Sequence, residues 1–415
     1  MATIKDDLPQ SKDDVANNIL TSYFPVRTQN NAFDWEAVIG FVIRLIYRKN
    51  LIIDDIDQFK IKCEKSFNEK LDNTEFFIKF LDEMYFSENN LFNIAPELSL
   101  FKAKKEAGKT PTVRLGEMFA SILQDTFINK EIVTQHNFLE KIIVDEFQVN
   151  IKSIDYSESS KKMINEEPYL PFITKAFGKD LLFLSEYPKY FLSVLTQFLR
   201  LYTYLYTAQL ALNISSWREG EPSPKPLYFI LDTETASAER MHIRDNGHLR
   251  VHEALFKIFP FLSMSESLQP INKKKIPIWK LANLLTNSDI EPLIRYASAF
   301  KEERNLSTDI SEINSSVDAL ELLLKLGMEQ FEKGQPTTRP DLNRKYVRTT
   351  ETELCSHFIQ SRGRAGRVLV INQDYLLLLT NISIGDSSKL RFHELLEAFK
   401  KRGVFFDKRS QQALI

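Results

Sequence analysis

Two carboxylates, Asp232 and Glu234, have a spacing that would let them act together on a metal ion. They end the run Tyr228-Phe-Ile-Leu-Asp232-Thr-Glu234, whose apolar start predicts a β-strand. A spacing of two puts both side chains on one face of an extended chain. The pattern resembles the first motif of proofreading-type exonucleases, where carboxylates hold two metal ions for phosphodiester cleavage. No His-x-Ala-x-Phe-Asp motif follows. A metal-dependent nuclease is therefore an alternative. The simpler interpretation is a polar strand end that opens a helix, with Thr233 or Thr235 as the helix cap.

Three of the six histidines, His242, His248 and His252, lie within eleven residues. His248 and His252 are four residues apart, so they share a face if this segment is helical. With Glu253 or Asp245 they form an alternative site for a transition metal. The sequence contains no HExxH motif and no complete phosphate-binding loop. The main prediction is therefore a chain without catalytic residues, metal or cofactor.

Three arginines are concentrated in the short run Arg362-Gly-Arg364-Ala-Gly-Arg367, which predicts a turn. Cations on a tight turn suit contacts with DNA phosphates. Residues 336–415 hold 14 Lys/Arg and 8 Asp/Glu, a net charge of +6, whereas the remainder carries a net charge of −8. The basic turn is therefore a candidate DNA contact, and an ordinary solvated basic turn is the alternative interpretation.

The end of the chain predicts three short helices, over 374–384, 389–402 and 407–415, joined by turns at 385–388 and 403–406. This order is typical of a helix-turn-helix unit. The third helix starts with Lys408 and Arg409 and also carries Gln411, residue types that suit phosphates and base edges. These three residues are therefore predicted to bind DNA, although many such units bind proteins instead.

In the rest of the sequence, helical periodicity dominates and predicts a mainly α fold with a small amount of β. The helical body divides into an N-terminal domain at 1–150 and a central domain at 151–335. The central domain includes a short strand near 227–231. Residues 336–415 are predicted to form a basic, winged-helix-like C-terminal module.

Cysteine usage and hydropathy favour a soluble cytoplasmic protein with no membrane association. The two cysteines, Cys63 and Cys355, lie far apart and predict neither a disulfide framework nor a zinc module. The start of the chain lacks the apolar segment of a secretory signal. The apolar run 190–214 is long enough to span a bilayer, but its Thr, Tyr and Gln residues favour a buried core helix.

Three stretches together resemble a known family, DptG (also called DndG), the G subunit of DNA phosphorothioation-dependent restriction systems. They are Leu227-Tyr-Phe-Ile-Leu-Asp-Thr-Glu-Thr-Ala-Ser-Ala-Glu-Arg240, the segment 358–381 beginning Phe-Ile-Gln-Ser-Arg-Gly-Arg-Ala-Gly-Arg, and the segment 389–408 beginning Lys-Leu-Arg-Phe-His-Glu. These stretches cover roughly a seventh of the chain. The sequence ends soon after the third predicted helix, whereas the family continues beyond that point.

The resemblance implies a role in bacterial anti-phage defence, in a complex that attacks double-stranded DNA lacking the phosphorothioate mark. It assigns the ATPase and nuclease work to partner subunits of the F and H type. This chain would then be a non-catalytic accessory subunit that contacts DNA. A purely structural adaptor that binds protein partners is the remaining alternative.

Overall fold

The computed structural model describes residues 4–53, 55–71, 75–103, 110–124, 126–128, 136–154, 166–233, 239–271, 273–310, 313–387 and 389–414. Within these ranges the chain is mainly helical with two small sheets, which confirms the predicted class. It divides into two compact units. The first unit comprises Met1–Asn31, Ile164–Ala176 and Arg200–Ile415, and the second comprises Ala32–Met163 and Phe177–Leu199.

Among its described residues, the second unit includes five α-helices that lie wholly within it, parts of two longer helices, and a two-stranded antiparallel sheet. The sheet is formed by β1 (Lys49–Leu51) and β2 (Ile151–Ser153). The first helix of this unit begins where Asp34 accepts hydrogen bonds from the backbone of Glu36 and Ala37. Such a cap satisfies amide groups that have no partner within the helix. The helices are α1 (Trp35–Tyr47), α2 (Ile56–Leu71), α3 (Glu75–Tyr85), α4 (Pro111–Leu123) and α5 (Phe138–Val149).

Two long helices follow, α6 (Pro171–Ser185) and α7 (Pro188–Asn213), and the break between them falls at the expected proline. In the first unit, α7 buries Tyr202, Tyr204 and Tyr206 almost completely. Every helix within the described residues is too short or too polar to cross a bilayer.

The remaining helices all belong to the first unit. The best-packed group there joins Leu293 and Phe300 of one helix to Leu320 and Leu323 of the next. The helices are α8 (Arg240–Asp245), α9 (His248–Leu255), α10 (Ile258–Leu268), α11 (Ile278–Leu284), α12 (Ile290–Arg304), α13 (Ser316–Glu329), α14 (Arg339–Thr350), α15 (Gln373–Ile384), α16 (Phe392–Lys400) and α17 (Lys408–Ala413).

A four-stranded sheet of order β4-β5-β3-β6 organises the functional part of the first unit. Its strands are β3 (Leu227–Leu231), β4 (Ile359–Ser361), β5 (Arg367–Ile371) and β6 (Val404–Phe406). β3 lies between β5 and β6 and is parallel to both, whereas β4 runs antiparallel to β5. β3 is buried along most of its length, as its apolar sequence predicts.

The sheet changes the interpretation of residues 336–415. The sequence predicts a turn at 403–406, between the second and third helices of a helix-turn-helix unit. This prediction is wrong, because Val404–Phe406 forms β6 and pairs with β3. Gly403 is needed just before that strand, since its φ is +82° and the Gln209 side chain approaches it closely. The segment therefore completes a sheet around β3 of the central region, within one compact unit, instead of closing on itself.

The division at 1–150, 151–335 and 336–415 thus differs from the two units of the structure. The first unit combines the beginning of the chain with most of the central segment and all of the C-terminal one. Strand pairing between residues distant in the chain produces this grouping, and such pairing leaves no local signal in the sequence.

Candidate functional site

Polar residues follow each of the three parallel strands of the sheet, at the edge where α/β folds commonly bind ligands. Asn372 follows β5 and accepts a hydrogen bond from the Tyr375 amide, which caps α15. Asp407 follows β6 and accepts one from the Ser410 amide, which caps α17. Two of the three polar positions therefore begin helices, and only Asp232, after β3, is left for another role.

Asp232 is held by an arginine of the predicted basic turn. Arg362 donates from Nη2 to the Asp232 backbone carbonyl at 2.8 Å and to Oδ1 at 2.6 Å. The guanidinium thereby offsets the charge of this half-exposed carboxylate. Glu234, its expected companion, lies outside the described residues. Among the described His, Cys, Asp and Glu side chains, only one group of three is spaced for a metal ion, and it excludes Asp232.

The basic turn itself joins β4 to β5. Its backbone is closed by a hydrogen bond from the Arg362 amide to the Gly366 carbonyl, and Gly363 and Gly366 both have positive φ, at +51° and +72°. A Cβ atom added to either glycine would meet nothing within 4 Å, so both glycines border open space, whereas Ala365 between them is buried against the sheet. Arg364 lies between these glycines with its side chain exposed. It makes no ion pair with any described residue.

The three arginines of the turn therefore have different surroundings. Arg362 is paired with Asp232, and Arg367 donates from Nη1 to Glu351 Oε2 at 3.1 Å. Arg367 nevertheless keeps 58% of its side chain exposed. The two ion pairs anchor both ends of the turn and leave Arg364 at its exposed tip.

The one group with metal-ligand spacing is a cluster of His248, His252 and Glu351, which we call the His–Glu cluster. Both histidines lie on α9 and share a face, as their spacing predicts. His248 Nε2 and His252 Nδ1 each lie 2.9 Å from the same carboxylate oxygen, Glu351 Oε1. The sequence suggested Glu253 or Asp245 as the acidic member, but the structure brings in Glu351 instead.

Burial and hydrogen bonding set the properties of the Glu351 carboxylate. Its side chain is only 9% exposed. Burial by itself raises the pKa of Glu351, but the hydrogen bonds from His248 and His252 outweigh it and hold the pKa below its usual range. The thiol of Cys355 lies on the same helical turn, and burial, reinforced by the Glu351 charge, raises its pKa strongly. Cys355 is thus protonated at neutral pH, unlike a metal-binding thiolate.

Local backbone features position the cluster. Gly247 precedes α9, and a Cβ atom there would come within 2.3 Å of the Ile243 carbonyl and 2.7 Å of the Tyr228 carbonyl. Only glycine allows α9 to start this close to β3. On the other side, Glu351–Cys355 forms a π-helical turn that continues α14. Such turns are uncommon and frequently occur at functional sites. No pattern in the sequence pointed to Glu351, because nothing local distinguishes it from other acidic residues.

The last helix has the exposed cations that the sequence predicts at its start. Lys408 and Arg409 are both exposed, and the Lys408 amide donates to Glu239 at 3.1 Å. Gln411 is less available, because its side-chain amide donates to the Phe406 carbonyl at 2.7 Å. Lys408 and Gln411 line a cavity of about 360 Å³ together with Tyr228, His242, Lys400 and Phe405.

Comparison with known proteins does not identify a family for this chain or a role for these residues. No protein-family model matches the chain, and a search of curated proteins finds no match to it.

Proposed function

We propose that this chain is a non-catalytic, DNA-contacting accessory subunit of a phosphorothioation-dependent restriction complex. The observation that carries the proposal is the exposed Arg364 at the tip of the β4–β5 turn, fixed on both sides by ion pairs. The resemblance of three stretches to the DptG family supplies the biological setting. In that setting the chain acts in the cytoplasm with F- and H-type partner subunits.

The shape of the turn suits contact with a polyanion. A cation that projects on a narrow turn can reach a phosphate, or enter a narrow minor groove where the negative potential is strongest. The anchoring of Arg362 and Arg367 lowers the conformational freedom that the turn would lose on binding. Arg362 and Arg367 thus act mainly by positioning the turn, while Arg364 makes the contact.

A second basic element contributes to the same proposal. Lys408 and Arg409 are exposed at the start of α17, and both belong to the C-terminal segment whose net charge is +6. In this proposal, the start of α17 contacts DNA in addition to the β4–β5 turn. Gln411 is committed to the Phe406 carbonyl, so we assign this helix to phosphate contact rather than base recognition.

The salt dependence of DNA binding tests the proposal. Full-length protein is titrated against a fluorescent DNA duplex at several salt concentrations, as wild type, as Arg364→Glu and as the control Lys325→Glu. Lys325 is exposed on α13 of the same unit, so it reproduces the change in net charge. We expect Arg364→Glu to weaken binding and to make the plot of log K against log salt shallower by about one. Lys325→Glu should leave that slope unchanged.

The structural adaptor makes the opposite prediction. If Arg364→Glu and Lys325→Glu bind DNA equally well, the turn is not a DNA contact and the adaptor becomes the better account. Pull-down of the tagged chain from its host provides the second readout. Co-purification with two large ATPase-like partners supports the restriction complex, whereas recovery of the chain alone contradicts it.

A further inference from the structure

The His–Glu cluster adjoins the proposed DNA contact through the Glu351–Arg367 ion pair, but its two histidines take no part in that contact. It presents two imidazole nitrogens and a carboxylate oxygen, and these three atoms lie within 4.8 Å of one another. We propose that His248, His252 and Glu351 bind one divalent transition-metal ion of the zinc class. The proposal concerns metal binding alone and does not depend on the proposed role in DNA restriction.

The distances between the donor atoms fit a small tetrahedral ion. Zinc bonds to imidazole nitrogen and carboxylate oxygen at about 2.0–2.2 Å, so neighbouring ligand atoms in a tetrahedral site are about 3.3 Å apart. Each histidine nitrogen already lies 2.9 Å from Glu351 Oε1. Side-chain rotations that widen these two distances by about 0.4 Å, and that keep the two nitrogens within reach of each other, would give the ion its place.

The donor types select the metal. Two imidazoles and one carboxylate form a set used in zinc sites that keep a fourth position open for water or another ligand. Ca²⁺ and Mg²⁺ prefer shells made of oxygen, so the two nitrogen donors disfavour them. His252 leaves 36% of its side chain exposed, which provides a path of entry for an ion from solvent.

The surroundings of the carboxylate orient it for an ion. Arg367 holds Glu351 Oε2, which leaves Oε1 directed at the two imidazoles. A partner of this kind on the second oxygen is a common feature of metal sites and fixes the ligand's orientation. Because Arg367 is 58% exposed, solvent screens its positive charge from an ion at Oε1. Arg367 is thus a positioning residue for the site.

A metal-free hydrogen-bond network is the competing explanation. There, His248 Nε2 and His252 Nδ1 must both carry hydrogens, because a carboxylate oxygen only accepts. An ion needs the lone pairs of those same nitrogens, so the hydrogens must move to the opposite ring nitrogens or leave the site. Metal uptake and a permanent network are therefore mutually exclusive, and a titration distinguishes them.

The experiment uses full-length protein that has been treated with chelator and then dialysed. Zn²⁺ is titrated by calorimetry, and Co²⁺ is titrated by visible absorption, which reports the coordination geometry. The variants are His252→Ala, Glu351→Gln and Arg367→Gln, with His393→Ala as the matched control. His393 is exposed on α16 and belongs to no described metal group. Its replacement therefore removes one imidazole from the protein but leaves the His–Glu cluster intact.

We expect one Zn²⁺ per chain and a Co²⁺ spectrum of tetrahedral intensity in the wild type. His252→Ala should weaken Zn²⁺ binding by more than roughly 100-fold, beyond the 10–100-fold cost of changes outside the ligand shell. Arg367→Gln should fall within that smaller range, and His393→Ala should match the wild type. Circular dichroism shows whether Glu351→Gln folds, and His252→Ala provides the test if it does not, because His252 is half-exposed.

Two results would overturn the proposal. The first is wild-type protein that takes up no Zn²⁺ at micromolar concentrations, which would establish the hydrogen-bond network. The second is equal Zn²⁺ binding by the wild type and His252→Ala, which would place any bound ion elsewhere. No DNA is present in these measurements, so their outcome is separate from that of the DNA-binding experiment.

Discussion

Glu329 and Glu351 are two buried carboxylates of the same unit, and their surroundings differ in kind. Glu329 is the last residue of α13 and is 6% exposed, and Glu351 follows α14 directly and is 7% exposed. A buried carboxylate is unfavourable unless hydrogen bonds replace its water. Both residues meet this requirement, but with different partners.

The partners of Glu329 are neutral groups of a single loop. The backbone amides of Ser307 and Thr308 donate to it at 2.6 and 3.1 Å, and the Ser307 hydroxyl donates at 2.6 Å. Amide groups have no lone pair to offer a metal ion, so this arrangement can only fix the loop against α13. Glu351 is instead bonded to two imidazoles and a guanidinium. Burial alone therefore does not mark a functional carboxylate, whereas the identity of its partners does.

Removal of Glu329 should produce the largest change in stability. In Glu329→Ala, the amides of Ser307 and Thr308 lose their acceptor, and we expect the free energy of unfolding to fall by about 3 kcal/mol. Urea unfolding measures the change, with Glu332→Ala, an exposed neighbour, as the control. Zn²⁺ bound at the His–Glu cluster, as proposed above, would raise the melting temperature. That increase should persist in Glu329→Gln and vanish in Glu351→Gln. If Zn²⁺ changes the melting temperatures of these two glutamine variants equally, the proposed difference between Glu329 and Glu351 is wrong.

The pH dependence of stability gives the next largest effect. Burial raises the pKa of Glu329, but the hydrogen bonds from Ser307 and Thr308 dominate and lower it from 4.5 to about 2. Because the pKa of Glu329 is depressed in the folded state, the ionised carboxylate stabilises the fold. Its contribution to the free energy of unfolding is complete above pH 4.5 and is lost as the pH falls from 4.5 towards 2. Urea unfolding at pH 6, 4.5 and 3 should show a steeper loss for wild type than for Glu329→Gln. Parallel curves of stability against pH for wild type and Glu329→Gln would contradict the depressed pKa of Glu329.

Asp232 should give the smallest effect, because it is a carboxylate with an arginine partner but little burial. Its side chain is 48% exposed and that of Arg362 is 28% exposed, so solvent weakens the ion pair. We expect Asp232→Asn to change the free energy of unfolding by less than about 1 kcal/mol. DNA cleavage in Mg²⁺ or Mn²⁺ should also be the same as for wild type. Loss of such cleavage in this variant would restore the nuclease alternative.

Sequence patterns were sufficient for elements that depend on local chemistry. The strand predicted at 227–231 is β3 with the same bounds, and Asp407 caps α17 as expected. The segment with His242, His248 and His252 is helical, but Gly247 divides it into α8 and α9. β6 was missed because three apolar residues are too few to show a period, and its partner β3 is distant in the chain.

In the candidate site, too, some features follow from local sequence and others depend on tertiary contacts. The shared face of His248 and His252 follows from the geometry of any α-helix, so the sequence alone determined it. The exposed cation at Arg364 likewise follows from a charged residue between two turn-forming glycines. Only the tertiary structure decided that Glu351 and Arg367 complete the cluster, because α14 and β5 reach α9 through packing and strand pairing. Contacts within one helical turn are fixed by backbone geometry, whereas contacts between distant segments depend on the whole fold.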